Sequence, residues 1–147
     1  MLAIHLQQDS VRLLLTEFQL IFLPVYCIPN VETRIAVSRL RLSNHELMIE
    51  KGRHLNLDIS QRNCPFCEGG CLEDEYHFLL RCKTYSLLRN ELYLTAHTFF
   101  PCFEYYSKEI QLKILLSDEQ IVCFTGKFLH KALALRRFLT ANYKNVI

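Results

Sequence analysis

Four side chains at metal-ligand spacing carry the clearest chemistry in the chain. Cys64, Cys67, His77 and Cys82 read as C-x₂-C-x₉-H-x₄-C. Thiolates and imidazoles are the usual ligands of structural Zn²⁺, and two cysteines separated by two residues can reach one ion from a tight turn. A loop must then bring back the second pair. Gly69 and Gly70 permit that reversal, because glycine enters the left-handed region without steric cost. Four protein ligands close a tetrahedron, so the predicted site is structural and leaves no position for a reacting water. Loading requires thiol deprotonation, and three thiolates with one Zn²⁺ sum to −1. Cys71 is a further donor inside the loop that could replace Cys67 or Cys82. The reading without metal is a group of buried reduced cysteines beside a helical histidine. A thioredoxin-like C-x-x-C needs a βαβ setting, and none surrounds Cys64.

These ligands need a scaffold. Residues 72–81 are predicted to form a short helix, with Glu73, Asp74 and Glu75 in its first turn where acids favour the helix dipole. Helical steps of about 100° leave His77 and Cys82 about 140° apart. Cys82 is therefore expected at a frayed or tightened helix end, with Tyr76, Phe78 and Leu79 packing around the ion. Upstream, Val11, Leu14, Leu15, Phe18, Ile21 and Phe22 repeat at helical spacing between Ser10 and Pro24. A second helix is expected after Pro29-Asn30, burying Val31, Ile35 and Leu40 and exposing Arg34 and Arg41. Ser43 and Glu46 have capping-box spacing. They predict a short helix through Lys51, with Gly52 as its left-handed stop. Residues 53–62 read as extended. Downstream, helices are expected over 84–97 (through Leu87, Leu88, Leu92 and Tyr93) and 106–116. The last is the most periodic, with Ile121, Phe124, Phe128, Ala132, Leu135 and Leu139 on one stripe. Gly126 within it costs about 1 kcal/mol against alanine. The fold class is thus mostly α: a small helical domain with a central zinc-organised turn-loop-helix module. Its expected parts are an N-terminal helix and connector (1–30), a helical region holding the zinc module at 64–82 (31–98), and C-terminal helices packed on it (99–147).

Composition bounds the function. The 147 residues are 50% hydrophobic and 22% charged, with a net charge of only +2. That suits one core and excludes a histone-like basic arm. Charge is nevertheless uneven. Residues 64–82 carry one Arg against four acids, whereas 31–63 carry six basic and four acidic side chains, and 83–147 nine and five. A polyanion would meet the flanks before the metal module. Seven cysteines, three of them within eight residues, do not form an even disulfide framework. No secretory leader or spanning apolar run is visible, and the longest apolar run contains Pro24. The expected location is intracellular, where thiols stay reduced; nucleus and cytoplasm are not distinguished.

Three stretches together resemble a known family. They are Arg34 to Arg53, Asn63 to Cys67, and the acidic run Glu73-Asp74-Glu75 followed by Tyr76 and an H-F-L-x-x-C ending at Cys82, with Tyr85 and Leu88-Arg89 beyond. They resemble the segment downstream of the polymerase domain in reverse transcriptases of non-LTR retrotransposons, and the short proteins derived from it. Residues 127–132 resemble that family's terminal helix more weakly. The resemblance implies that Cys64, Cys67, His77 and Cys82 bind zinc, and that the module contacts element RNA or target DNA. The loop containing Cys71 is longer than in the commoner pattern. Polymerisation in that family needs paired metal-binding aspartates; Asp9, Asp58, Asp74 and Asp118 include no adjacent pair, and the chain is too short for a polymerase domain. The implied role is non-catalytic, as a reused module or a genomic remnant.

The basic residues available for phosphate contact are Arg34, Arg39, Arg41, Lys51 and Arg53 before the cysteines, and Lys127, Lys131, Arg136 and Arg137 in the last helix. Glu32, Glu46 and Glu50 dilute the first group, and composition alone favours an ordinary solvated face. His45 and His54 are expected at the surface or in caps. Tyr85, Phe99, Phe100, Tyr105 and Tyr106 could stack bases, although most suit a core. His97 and Cys102 repeat the H-x₄-C spacing without a cysteine pair beside them. The expected partners are RNA or DNA, or another protein if the module carries no nucleic-acid activity. No enzyme activity, membrane association or small-molecule substrate is expected.

Overall fold

The computed structural model describes residues 25–143. The helix expected over 10–22 lies outside these residues. A 3₁₀ turn at Val25–Cys27 precedes five α-helices: α1 (Val31–Arg41), α2 (Met48–His54), α3 (Ser86–Phe99), α4 (Lys108–Ser117) and α5 (Val122–Tyr143). The cysteine loop and a π-helical turn lie between α2 and α3. Among the described residues there is no strand, only an isolated antiparallel bridge between Asn63 and Leu72. The mostly α expectation holds.

The long helix α5 is the centre of the fold and packs on α1, α3 and α4. Its predicted stripe faces inward: Ile121, Phe128 and Ala132 are buried, and Phe124 and Leu135 pack against the same core. That core also takes in Ile28, Leu47, Phe78, Tyr85, Leu92, Phe103 and Leu115, together with Cys64 and Cys82. The cysteine loop is thus fastened to the helical core.

Helix α1 starts where Asn30 predicted, with the Asn30 side chain accepting the Thr33 N–H at 2.9 Å. Its buried face differs from the expected one. Thr33, Ala36, Val37 and Leu40 point inward, while Val31 and Ile35 are 59% and 45% exposed. Gly126 explains the rotation. A Cβ there would lie 2.3 Å from Thr33 Cγ2 and 3.2 Å from Val37 Cγ2. The missing side chain is the recess in which α1 crosses α5, so that crossing selects the stripe around Thr33.

The expected capping box at Ser43 does not form. Ser43 adopts a left-handed backbone with φ 51° just beyond α1. Helix α2 begins later, after Leu47, with no local side-chain cap. Its first N–H groups are satisfied from a distance. Met48 N–H donates to the Glu73 carboxylate at 2.7 Å, and Ile49 N–H to the Glu73 carbonyl at 3.0 Å. A buried long-range acceptor has displaced the local one. Gly52 lies inside α2, where a Cβ would sit 2.5 Å from Arg62 Cγ; close packing, not a left-handed stop, requires glycine there. The stretch expected to be extended contains the end of α2 and a 3₁₀ turn at Ile59–Gln61 capped by Asp58.

Helix α3 starts two residues later than expected and ends at Phe99. It buries Leu92 and Ala96 but leaves Leu87 85% exposed, against expectation. The helix expected over 106–116 is α4, capped by Ser107.

Candidate metal centre

The loop presents its first two cysteines by folding back on itself. Cys64 N–H donates to the Cys71 carbonyl at 2.7 Å, beside the Asn63–Leu72 bridge. Gly69 and Gly70 have φ values of 90° and 68°. They make the predicted reversal in a region that other residues enter at a cost.

The second pair is placed by an irregular helix. Glu73 and Asp74 precede the helical turn instead of opening it; Asp74 Oδ1 accepts the His77 N–H at 2.7 Å, as a cap does. From His77 to Arg81 the backbone is π-helical, and Cys82 N–H donates to the His77 carbonyl at 2.7 Å. A regular α-turn would direct residues five apart away from each other. The i→i+5 bond of a π-turn widens the coil and carries Cys82 round to the side of His77. The end of this helix is widened, where a frayed or tightened end was expected.

All four ligand atoms lie within 4.8 Å of one another. Cys64 Sγ to Cys82 Sγ is 3.9 Å, Cys67 Sγ to Cys82 Sγ 3.6 Å, and Cys67 Sγ to His77 Nε2 3.5 Å. Zinc–ligand bonds of ordinary length in a tetrahedron give S···S edges of about 3.8 Å and S···N edges of about 3.5 Å. A disulfide would need S–S near 2.05 Å. These three separations match the edges of a tetrahedral cation's ligand set, and the other three are no longer than 4.8 Å. Cys71 is exposed and stands outside this group; it contributes its carbonyl.

The electrostatics are those of thiols crowded together. The Cys64 thiol is pushed well up by its bond to Cys82 and by burial. Burial and Cys82 also raise Cys67. Cys82 is pulled down to about 4, first by the Cys64 bond and then by the Thr84 hydroxyl and N–H against the opposing effect of burial. Backbone N–H groups of Phe66 and Lys83 favour the ionised forms of Cys64 and Cys67. Such outer contacts orient thiolates and tune their affinity for an ion.

Two buried cations complete the surroundings, and neither role was evident from the sequence. Arg89 extends from α3 and donates to the carbonyls of Phe78, Leu79 and Cys82, which the end of the π-turn leaves without helical donors. Its donors meet carbonyls, not a carboxylate. Arg136 on α5 forms a bidentate pair with Glu73, at 3.1 and 2.7 Å. Burial pulls the Arg136 guanidinium down, but the bonds and charge of Glu73 outweigh it and hold the group above its usual value.

Placing Arg136 among phosphate contacts is therefore a correction: it is buried, and a carboxylate occupies its donors. Arg41, expected to be exposed, is also turned inward; its Nε donates to the Leu116 carbonyl at 2.7 Å. Arg34 is half-buried, and its Nε has no hydrogen-bond partner among the described residues. Arg53 pairs with Glu50, and Lys127 lies 3.8 Å from Glu91. Arg39, Lys51, Lys131 and Arg137 remain exposed. His45 is another correction, with its side chain 1% exposed and Nε2 bonded to Glu75 at 2.9 Å. His54 is exposed. His97 engages Glu104 at 3.3 Å and stacks on Tyr93, while Cys102 is exposed. Of the aromatic residues, Tyr85 and Phe100 are buried, Tyr106 is half-buried, and Phe99 and Tyr105 are exposed.

No protein-family profile matches the chain, and no curated protein or solved structure is detectably similar to it. No described helix is long and apolar enough to cross a membrane.

Proposed function

We propose that the chain is a non-catalytic structural zinc module, of the kind it resembles in non-LTR retrotransposon tails, and that its basic faces contact RNA or DNA. The observation that carries the zinc reading is the convergence of the four ligand atoms, three of whose separations are 3.5–3.9 Å. Charge supports it. Among the described residues no carboxylate meets the donors of buried Arg89, and a Zn²⁺ held by three thiolates and one imidazole is a −1 centre beside it. The ion stabilises the fold by closing the loop onto the core, so binding energy becomes folding energy. Cobalt(II) titration tests it. Thiolate charge-transfer bands with tetrahedral ligand-field absorption, saturating at one ion per chain, are expected; an octahedral spectrum overturns the assignment.

The nucleic-acid part rests on Arg39, Lys51, Lys131 and Arg137, which stay exposed and have no salt bridge among the described residues. Affinity for single-stranded RNA or duplex DNA in about the micromolar range is expected. It should fall linearly on a log–log plot against salt, with a slope reduced by about one in Lys131→Gln or Arg137→Gln. Salt-independent or absent binding overturns it.

A second reading, docking of another protein, is favoured by Leu87 and Leu94. These lie seven residues apart on α3 and are 85% and 72% exposed. An exposed apolar stripe on a helix can mark a contact surface. Loss of binding to an interacting protein in Leu87→Ser with nucleic-acid binding unchanged would select this reading.

A further inference from the structure

Two cysteines outside the metal centre lie against each other. Cys123, the second residue of α5, donates its thiol to the Cys27 carbonyl at 3.3 Å, across 96 residues of sequence. Cys27 closes the 3₁₀ turn and is exposed, and Cys123 is half-buried. Each has a cationic neighbour. Arg41 interacts electrostatically with Cys27. Lys127, one turn along α5, favours the ionised form of Cys123, although burial and the nearby Cys27 hold that thiol up. With the Cys123 thiol held against the Cys27 backbone, the two cysteines can react in sequence: the exposed member first, the shielded member second.

We propose that Cys27 and Cys123 form a reversible disulfide site that takes its oxidising equivalents from a small disulfide of the glutathione type. The Cys27 thiolate attacks one sulfur of glutathione disulfide; a mixed disulfide forms and one glutathione thiolate leaves. The Cys123 thiolate then attacks the Cys27 sulfur, forming the Cys27–Cys123 bond and expelling the second glutathione. Two electrons pass from the protein thiols to the oxidant, and their two protons accompany the two glutathione thiols released. The bond closes a loop containing α1 to α4 and the metal centre, and fastens it to the start of α5. A closed loop restricts the unfolded chain, so the oxidised form is the more stable. This inference does not depend on the metal reading.

The test is to incubate the full chain with glutathione disulfide and map its peptides without reduction, in parallel with thermal melts. The expected result is a linked peptide pair containing Cys27 and Cys123, with a higher Tm that returns to its starting value on reduction. Both effects vanish in Cys27→Ser and in Cys123→Ser. A mixed glutathione disulfide that persists on wild-type Cys27, or linkage of either residue to a different cysteine, overturns the proposal. So does the absence of modification at both. The wild-type map alone decides if a variant fails to fold.

Discussion

Arg136 and Glu73, 63 residues apart in sequence, form a bidentate ion pair whose side chains are 5% and 0% exposed. Glu73 also receives the first N–H groups of α2, and its own N–H donates to the Arg62 carbonyl at 3.0 Å. One carboxylate thus joins the cysteine loop, α2 and α5. A buried pair adds little net stability, but losing one partner leaves a buried charge at a cost of about 3–5 kcal/mol. Arg136→Met should lower the stability of the zinc-loaded chain by that amount in urea unfolding. A change within experimental error would show that Glu73 finds another partner.

Arg89 makes a second prediction. Arg89→Met removes the donors to the three carbonyls around the π-turn while keeping an apolar stem of similar length. Zinc affinity should fall about 10- to 100-fold, the usual effect of losing an outer contact. Competition with a chromophoric chelator measures this. Unchanged affinity would mean that the π-turn holds Cys82 in place unaided.

Gly126→Ala separates packing from propensity. Alanine gains about 1 kcal/mol of helix propensity, but its methyl would meet Thr33 and the crossing with α1. Overpacking costs about 1–3 kcal/mol, so Tm should fall. A rise in Tm would show that α1 can move aside. Thr33→Ala in the same chain should recover part of the loss.

Acid sensitivity follows from Glu75. Its carboxyl is held below its ordinary value of 4.5, first by the bond to His45 and against burial. A group depressed in the folded state contributes stability above its unfolded pKa, and that contribution disappears as pH falls through the folded value. His45→Gln should therefore move the Glu75 carboxyl midpoint upward in a ¹³C NMR titration and weaken the fold from below pH 4.5 upward. An unmoved midpoint would contradict the assigned pair.

Local features of the fold were largely legible. Asn30 starts α1 because caps act within three residues, and the α5 stripe faces inward because its period is helical. The cluster of Cys64, Cys67, His77 and Cys82 was legible because cysteine spacing and paired glycines define a turn. What the sequence concealed is long-range. The inward face of α1 is set by a recess at Gly126, and α2 is capped by Glu73 from another segment. Arg136 reads as a surface cation until its carboxylate comes into view. The meeting of His77 with Cys82 depends on a π-turn, which no periodicity announces; the 140° mismatch was the only sign that the α-helix had to break.

Native mass spectrometry of the intact chain tests the central claim most directly. One zinc per chain is expected, removed by a strong chelator and restored by added zinc. Cys64→Ser and His77→Ala should lose it, while Cys71→Ser keeps it. A wild-type chain that takes up no zinc, or the same zinc content in the Cys64 and His77 variants, would contradict the account.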